Sequence, residues 1–251
     1  VICDLDGVLW LADQPIAGAA EAVARLRTAG RRVVFVTNNS YAPVADVEAK
    51  LARMGVPAEG DVVTSARAAA SLVHAGERVL LCGGPGAEEV LVAAGATVVR
   101  RDPSPVDVVV VGFHRDFDYE EMALAARAVR AGARFVATND DATYPTPDGP
   151  IPGNGSIVAG IAAAAGVSPT VAGKPYEAMA AVVRDVLGAA AGSAVMVGDR
   201  PDTDGRFAVA LAARFALVLS GVTVAGDLPV DPSPDLVAAD LAELADRLLG
   251  A

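Results

Sequence analysis

Asp4 and Asp6 stand two residues apart where the short apolar run Val1-Ile2-Cys3 ends and Gly7 turns the chain. Alternate residues of an extended segment face the same way, so both carboxylates leave the strand end on one side. Two negative charges that close repel each other, and a divalent cation relieves the repulsion without protonating either. The pair reads as half of a metal site, or as a D-x-D turn on a solvated strand end.

Three further clusters have chemistry to offer. In Val36-Thr37-Asn38-Asn39-Ser40 an apolar strand runs straight into a helix start. A hydroxyl, two amides and unpaired helix N–H groups converge there, which suits an anion and equally suits an ordinary cap. Ala172-Gly173-Lys174-Pro175 puts a lysine between a short strand and a helix. It can neutralise phosphate oxygens or simply be exposed at the helix start. A P-loop is excluded, because Pro175 stands where the metal-binding Ser or Thr would be. Val195-Met196-Val197-Gly198-Asp199 is another apolar strand, and Asp199, Asp202 and Asp204 crowd the loop that follows. Asp199 occupies the strand-end position equivalent to that of Asp4, so parallel neighbouring strands would bring both to one metal; Asp202 reads as a surface residue. All four clusters lie at the carboxyl ends of strands, where open parallel sheets bind their ligands.

The elements that must position them are legible as alternation. Short Val-rich runs (32–36, 62–64, 79–82, 106–111, 134–137, 194–197, 215–219) are separated by Ala-rich stretches of helical spacing. Continuous apolar strands between amphipathic helices predict an α/β protein whose parallel sheet is covered on both faces. One helix is explicit: Ser40 as cap, Pro43 in the first turn, Val44, Val47, Leu51 and Met54 on one face, Gly55 as stop. Thr143 to Pro152 has neither period and reads as a long loop.

Composition narrows the partners. A net charge of −11 with no basic block argues against nucleic acid and anionic membranes. Mean hydropathy is high at +0.42, yet no apolar stretch is long enough to span a bilayer and no signal-peptide pattern is present, so the chain reads as cytoplasmic. Cys3 and Cys82 read as buried reduced thiols without zinc spacing, and His74 and His114 as surface residues.

Taken together, Asp4-Leu5-Asp6-Gly7, the Thr37-Asn38-Asn39 strand end, Lys174 and Gly198-Asp199…Thr203-Asp204 resemble motifs one to four of the haloacid dehalogenase superfamily of phosphatases, in order and across essentially the whole chain. The strings around Thr37, Lys174 and Asp199 are similar to the class II subfamily containing 4-nitrophenyl, phosphoglycolate, glycerol-phosphate and pyridoxal-phosphate phosphatases. Asp4 and Thr37 are separated by about 33 residues, room for one loop, helix and strand. Roughly 137 residues lie between Thr37 and Lys174, and about 90 of them exceed what the core requires. A Rossmann-like three-layer core over 1–73 and 169–251, with an α/β cap inserted over 74–168, is therefore expected.

The resemblance implies Mg²⁺-dependent hydrolysis of a small-molecule phosphate ester. Asp4 would be the nucleophile and Asp6 the general acid and base. Mg²⁺ would be held by Asp4, the Asp6 carbonyl and Asp199, with Asp204 in support. Thr37, Asn38, Asn39 and Lys174 would grip the phosphoryl group, and Tyr144, in the loop that contacts substrates in the resembled subfamily, would meet the leaving group. Homodimerisation through the cap is the remaining partner expectation. A dehalogenase would need neither Asp6 nor a metal, and a phosphomutase usually carries its cap between the first two motifs. A non-catalytic nucleotide- or phosphate-binding module would rest on Cys82-Gly83-Gly84-Pro85-Gly86-Ala87-Glu88-Glu89. There Glu89 replaces the third glycine, and two glutamates at a helix start repel a pyrophosphate. An ordinary strand-to-helix turn accounts for it, as a Ser-capped helix start accounts for Gly153-Asn154-Gly155-Ser156.

Overall fold

The Val-rich runs become strands because their side chains are buried on both faces, as Val34–Thr37 and Val195–Gly198 are throughout. The structure is a computed structural model and describes residues 1–12, 14–144 and 149–250. The chain divides into two compact units. One comprises Val1–Thr37, Ala45–Val63 and Lys174–Ala251; the other comprises Asn38–Val44 and Thr64–Gly173. Segment 74–168, expected as the insertion, lies within the second.

In the first unit a six-stranded sheet runs in the order Leu236–Ala238, Arg214–Val218, Val195–Gly198, Ile2–Cys3, Val34–Thr37, Val62–Thr64. The first strand of the chain thus sits between one strand that follows it closely and one that follows it by nearly the whole sequence. Both contacts are parallel: Ile2 is in register with Val34 on one side and Met196 on the other. Chain direction reverses its march across the sheet there, and the loops part at that point. Helices surround the sheet for the usual reason. Ala19–Thr28 buries Ala19, Ala22, Val23 and Leu26, one helical stripe, and ends where Gly30 takes a left-handed conformation (φ 75°). Burying a Val or Leu side chain is worth about 1.5–3 kcal/mol, so that stripe outweighs the helix's modest intrinsic propensity.

The second unit is built on the same plan. Its five parallel strands run Thr170–Val171, Arg134–Ala137, Val108–Val111, Arg78–Cys82, Thr97–Val99. Leu80, Val109, Phe135, Ala125 and Ile161 lie in its core. The turn after Cys82 leads into the Pro85–Ala93 helix, as an ordinary strand-to-helix connection would.

Four expectations need correction. Ser40 does not cap the following helix, which begins at Val44; its hydroxyl is buried and accepts from Thr138 Oγ1 at 2.9 Å. Ser156 is not a cap either: the helix starts at Asn154 and the Ser156 hydroxyl donates to Ala142 O. The ends of the Thr143–Pro152 segment pair as a short antiparallel ladder, Thr143 with Pro152 and Tyr144 with Ile151, while residues 145–148 lie outside the described residues. His114 is buried, its Nε2 2.9 Å from Glu121 Oε2 and its Nδ1 3.1 Å from Gly112 O. In each case the deciding partner is distant in sequence or invisible to periodicity. Cys3 and Cys82 are buried free thiols as expected, and burial pushes both thiols up in pKa.

Candidate active site

Asp4 follows Cys3 directly, and its N–H donates to Val197 O, so the ladder that aligns the two strands also holds Asp4 beside Gly198-Asp199. Lys174 is 2% exposed, and its ammonium lies 2.7 Å from Asp4 Oδ1 and 2.8 Å from Asp204 Oδ1. Asp4, Asp199 and Asp204 each place one carboxylate oxygen within 4.8 Å of the other two, and all three are buried. Asp204 reaches this position through a single π-helical turn, Pro201–Gly205, whose N–H groups close on Arg200 O. Its second oxygen accepts from Arg200 N at 3.2 Å. Asp202 is exposed and pairs with Arg200, as a surface residue would.

The electrostatics follow from that geometry. Burial would strip the proton from Lys174, but Asp204 and Asp4 outweigh it and hold the ammonium above its ordinary pKa. Burial keeps the Asp4 carboxyl above its usual range in spite of Lys174. Asp199 is pushed up to about 7 by burial and then by Asp204 and Asp4. Asp204 is pushed up to about 6 by burial and Asp4, against the pull of Lys174. Three carboxylates face one ammonium, so the ionised cluster carries two uncompensated negative charges in a poorly solvated place. An all-oxygen donor set with that charge deficit fits a hard divalent cation.

Glycines give the carboxylates their room. Gly7 is left-handed (φ 78°), and a Cβ there would overlap the Asp199 carboxylate; one at Gly221 would do the same, and one at Gly198 would overlap Asp204. The segment after the Arg214–Val218 strand completes the setting. Val222 N donates to Asp199 Oδ2 at 2.6 Å, and the Ser220 hydroxyl donates to Gly7 O at 2.7 Å. Ser220, Gly221 and Val222 were not anticipated. The signal available was that Ser-Gly, too, follows the carboxyl end of an apolar run.

Asp6 belongs to the same unit, half-buried, with Oδ1 accepting from the Trp10 indole N–H at 2.8 Å. Thr37 is buried at the end of the strand paired with Ile2–Cys3. Asn38, Asn39 and Tyr144 fall in the second unit. There Asn38 Nδ2 donates to Asp141 Oδ2 at 3.1 Å, Asn39 Oδ1 accepts from Tyr41 N at 2.9 Å, and Tyr144 stacks on Phe113 with ring centres 5.2 Å apart. No helix among the described residues is long and apolar enough to cross a membrane.

The chain is similar to proteins of known family. A family model described as haloacid dehalogenase-like hydrolase matches residues 1–97, and a second, HAD-hydrolase-like, matches 171–244. The chain is 41% identical over 234 residues to the D-glycerol 3-phosphate phosphatase of Mycobacterium tuberculosis, covering 90% of this chain but only 64% of that protein's length. It is 37% identical over 207 residues to the acid sugar phosphatase of Staphylococcus saprophyticus, covering 81% of this chain and 79% of the relative. The crystal structure of a Mycobacterium tuberculosis glycerol phosphate phosphatase in complex with magnesium matches with a TM-score of 0.88 at 38% identity, over 97% of this chain and 75% of that one. The chain belongs to the haloacid dehalogenase-like hydrolases.

Proposed function

We propose that the protein hydrolyses small-molecule phosphate monoesters with Mg²⁺ as cofactor, through a phosphorylated Asp4. The observation that carries this reading is the buried cluster of Asp4, Asp199 and Asp204 around Lys174, short of two positive charges at the point where the sheet's strand order reverses. Asp4 and Asp199, with the Asp6 carbonyl and support from Asp204, would hold Mg²⁺, which supplies charge neutralisation and polarisation of the phosphoryl oxygens.

The chain's own groups account for the rest. An Asp4 carboxylate oxygen attacks phosphorus while the ester P–O bond breaks, and Asp6 passes its proton to the departing oxygen. Asp6, now a carboxylate, takes a proton from water as that water attacks phosphorus, freeing inorganic phosphate and restoring Asp4. Lys174 keeps Asp4 in place and, with Thr37, Asn38 and Asn39, binds phosphoryl oxygens. Tyr144 meets the leaving group, the inserted segment 74–168 acts as the selecting cap and dimer contact, and the substrate is a phosphorylated polyol or sugar, the chemistry that the relatives' names describe.

Turnover of 4-nitrophenyl phosphate and glycerol 3-phosphate should vanish with EDTA and return with Mg²⁺. Asp4→Asn should lose at least about 10³-fold in kcat, roughly 4 kcal/mol of barrier. Full activity after exhaustive chelation would overturn the metal role, and near-normal activity of Asp4→Asn the covalent route.

A further inference from the structure

The Asn38 carbonyl is held by two side chains that come from widely separated places in the chain. Ser65, at the start of the short helix Ser65–Ala70, donates its hydroxyl to this oxygen at 2.6 Å, and Asn139 Nδ2 donates to it at 2.8 Å. Both donors are buried, Ser65 at 0% and Asn139 at 4% exposure. A backbone carbonyl has two lone pairs, and here there is a side-chain donor for each. The Asn139 amide is itself fixed at its other end, where Oδ1 accepts from Asp141 N at 3.1 Å. An N–H only donates, so the atom facing Asp141 N is oxygen and the NH2 group is left to face Asn38 O. Asn154, also buried, donates to Asn139 O at 2.6 Å and holds the backbone behind it. All of these residues lie in the second unit. Side-chain bonds to a loop backbone are common; what singles these out is that the carbonyl they hold belongs to the run 37–39.

We infer that Asn139 is a positioning residue for phosphoryl binding, acting with Ser65 through the Asn38 carbonyl to set the direction of the 37–39 loop. The six atoms of a peptide unit lie in one plane, so fastening Asn38 O with two donors fixes the whole unit that joins Asn38 to Asn39. A loop held in this way need not reorganise as charge develops on the phosphoryl oxygens. Misplacing such a group by about 1 Å costs on the order of 10²-fold. This inference rests on the phosphatase reading above, in which Thr37, Asn38 and Asn39 bind phosphoryl oxygens. It adds that the inserted segment 74–168, proposed there as the selecting cap, also sets the phosphate grip through Asn139.

The test uses the full chain with saturating Mg²⁺, and inorganic phosphate as a competitive inhibitor of 4-nitrophenyl phosphate hydrolysis. Asn139→Leu removes one donor while keeping the branched shape and adding no charge. Ser65→Ala removes the other by deleting a single heavy atom, and it carries the test if Asn139→Leu does not fold. In each folded variant kcat/KM should fall by up to about 10²-fold, and the inhibition constant of phosphate should rise severalfold. The Mg²⁺ concentration for half-maximal activity should stay at the parent's value. An anchor with only a structural role would lower Tm and leave phosphate inhibition where it was, so an unchanged inhibition constant in a folded variant overturns the inference. The double variant is the sharper measurement. Both donors serve one carbonyl, so removing the second should cost less once the first is gone, and the combined loss should fall short of the product of the single losses. Losses that multiply would mean two unrelated sites and would overturn the inference as well. Failure of the underlying reading shows elsewhere, in an Asp4→Asn protein that keeps near-normal turnover or a parent that phosphate does not inhibit, and the inference then falls with it.

Discussion

Gly221 shows how tightly Asp199 is held, because any Cβ at that position would occupy the space of its carboxylate. The neighbouring Val222 N–H fixes Asp199 Oδ2, so the orientation of this carboxylate is decided by backbone and not by another side chain. Gly221→Ala should turn Asp199 away and weaken Mg²⁺ binding by about 10–100-fold, the range typical for groups that orient a metal ligand. A Mg²⁺ titration followed by calorimetry measures it. Equal affinity in the two proteins would mean that Asp199 is not held for a metal. The Lys174 ammonium, by contrast, lies against two side chains, the carboxylates of Asp4 and Asp204. Of these residues Lys174 and Asp199 stand out in the sequence by type and position, whereas Gly221 becomes functional only through what it leaves empty.

Among elements, two contacts inside the second unit decide how its parts dock. The start of the Pro85–Ala93 helix lies against the 41–43 segment: Gly86 N donates to Tyr41 O at 2.8 Å, and a Cβ on Gly86 would overlap Ala42 O. Gly86→Ala therefore overpacks the junction and should cost about 1–3 kcal/mol. Differential scanning calorimetry should show a fall of roughly 2–10 °C, and an unchanged transition would refute the close approach. The second contact ties the Tyr119–Arg130 helix to the end of the Val108–Val111 strand through His114 and Glu121, with Arg101 3.5 Å from Glu121 and Cys82 buried beside it. Burial works to lower the His114 pKa, but its bonds to Glu121 and Gly112 raise it above the ordinary 6.5. A raised histidine stabilises the fold fully below the unfolded value and loses that contribution as pH climbs through the folded value. Glu121→Ala should cost about 3–5 kcal/mol near pH 6, as for other broken buried pairs. The gap from the parent should narrow towards pH 9, and a pH-independent gap would show that packing, not charge, holds the two elements together.

At the scale of the molecule, the carboxylate cluster makes stability depend on pH and metal together. Asp199 and Asp204 keep their protons up to about 7 and about 6, whereas in the unfolded chain they lose them near the ordinary 3.8. As pH rises between those values the metal-free fold binds more protons than the unfolded chain and is progressively destabilised. Mg²⁺ competes with those protons, so its stabilisation should be small at pH 5 and large at pH 8. At a hundredfold excess over its Kd the ion adds about 2.7 kcal/mol. That corresponds to roughly 5–10 °C in Tm for a chain of this size. Thermal melts with and without Mg²⁺ at both pH values measure it, and an equal shift at the two would sink the carboxylate assignment.

The sequence by itself determined the alternation of buried strands and helices and the placement of Asp4, Thr37, Lys174 and Asp199 at strand ends, because periodicity and strand termination are local properties written in neighbouring residues. It also determined that the excess length falls between Thr37 and Lys174. Tertiary structure decided what depends on partners far apart in the chain. Setting Ile2–Cys3 between Val34–Thr37 and Val195–Gly198 required the strand order, which hydrophobic pattern does not encode. The burial of His114, the engagement of Ser40 with Thr138 and the ladder closing on Tyr144 depend on which surfaces meet. Trp10 is the sharpest case. Its indole N–H meets Asp6 Oδ1 only once the turn after Gly7 has brought residue 10 back beside residue 6.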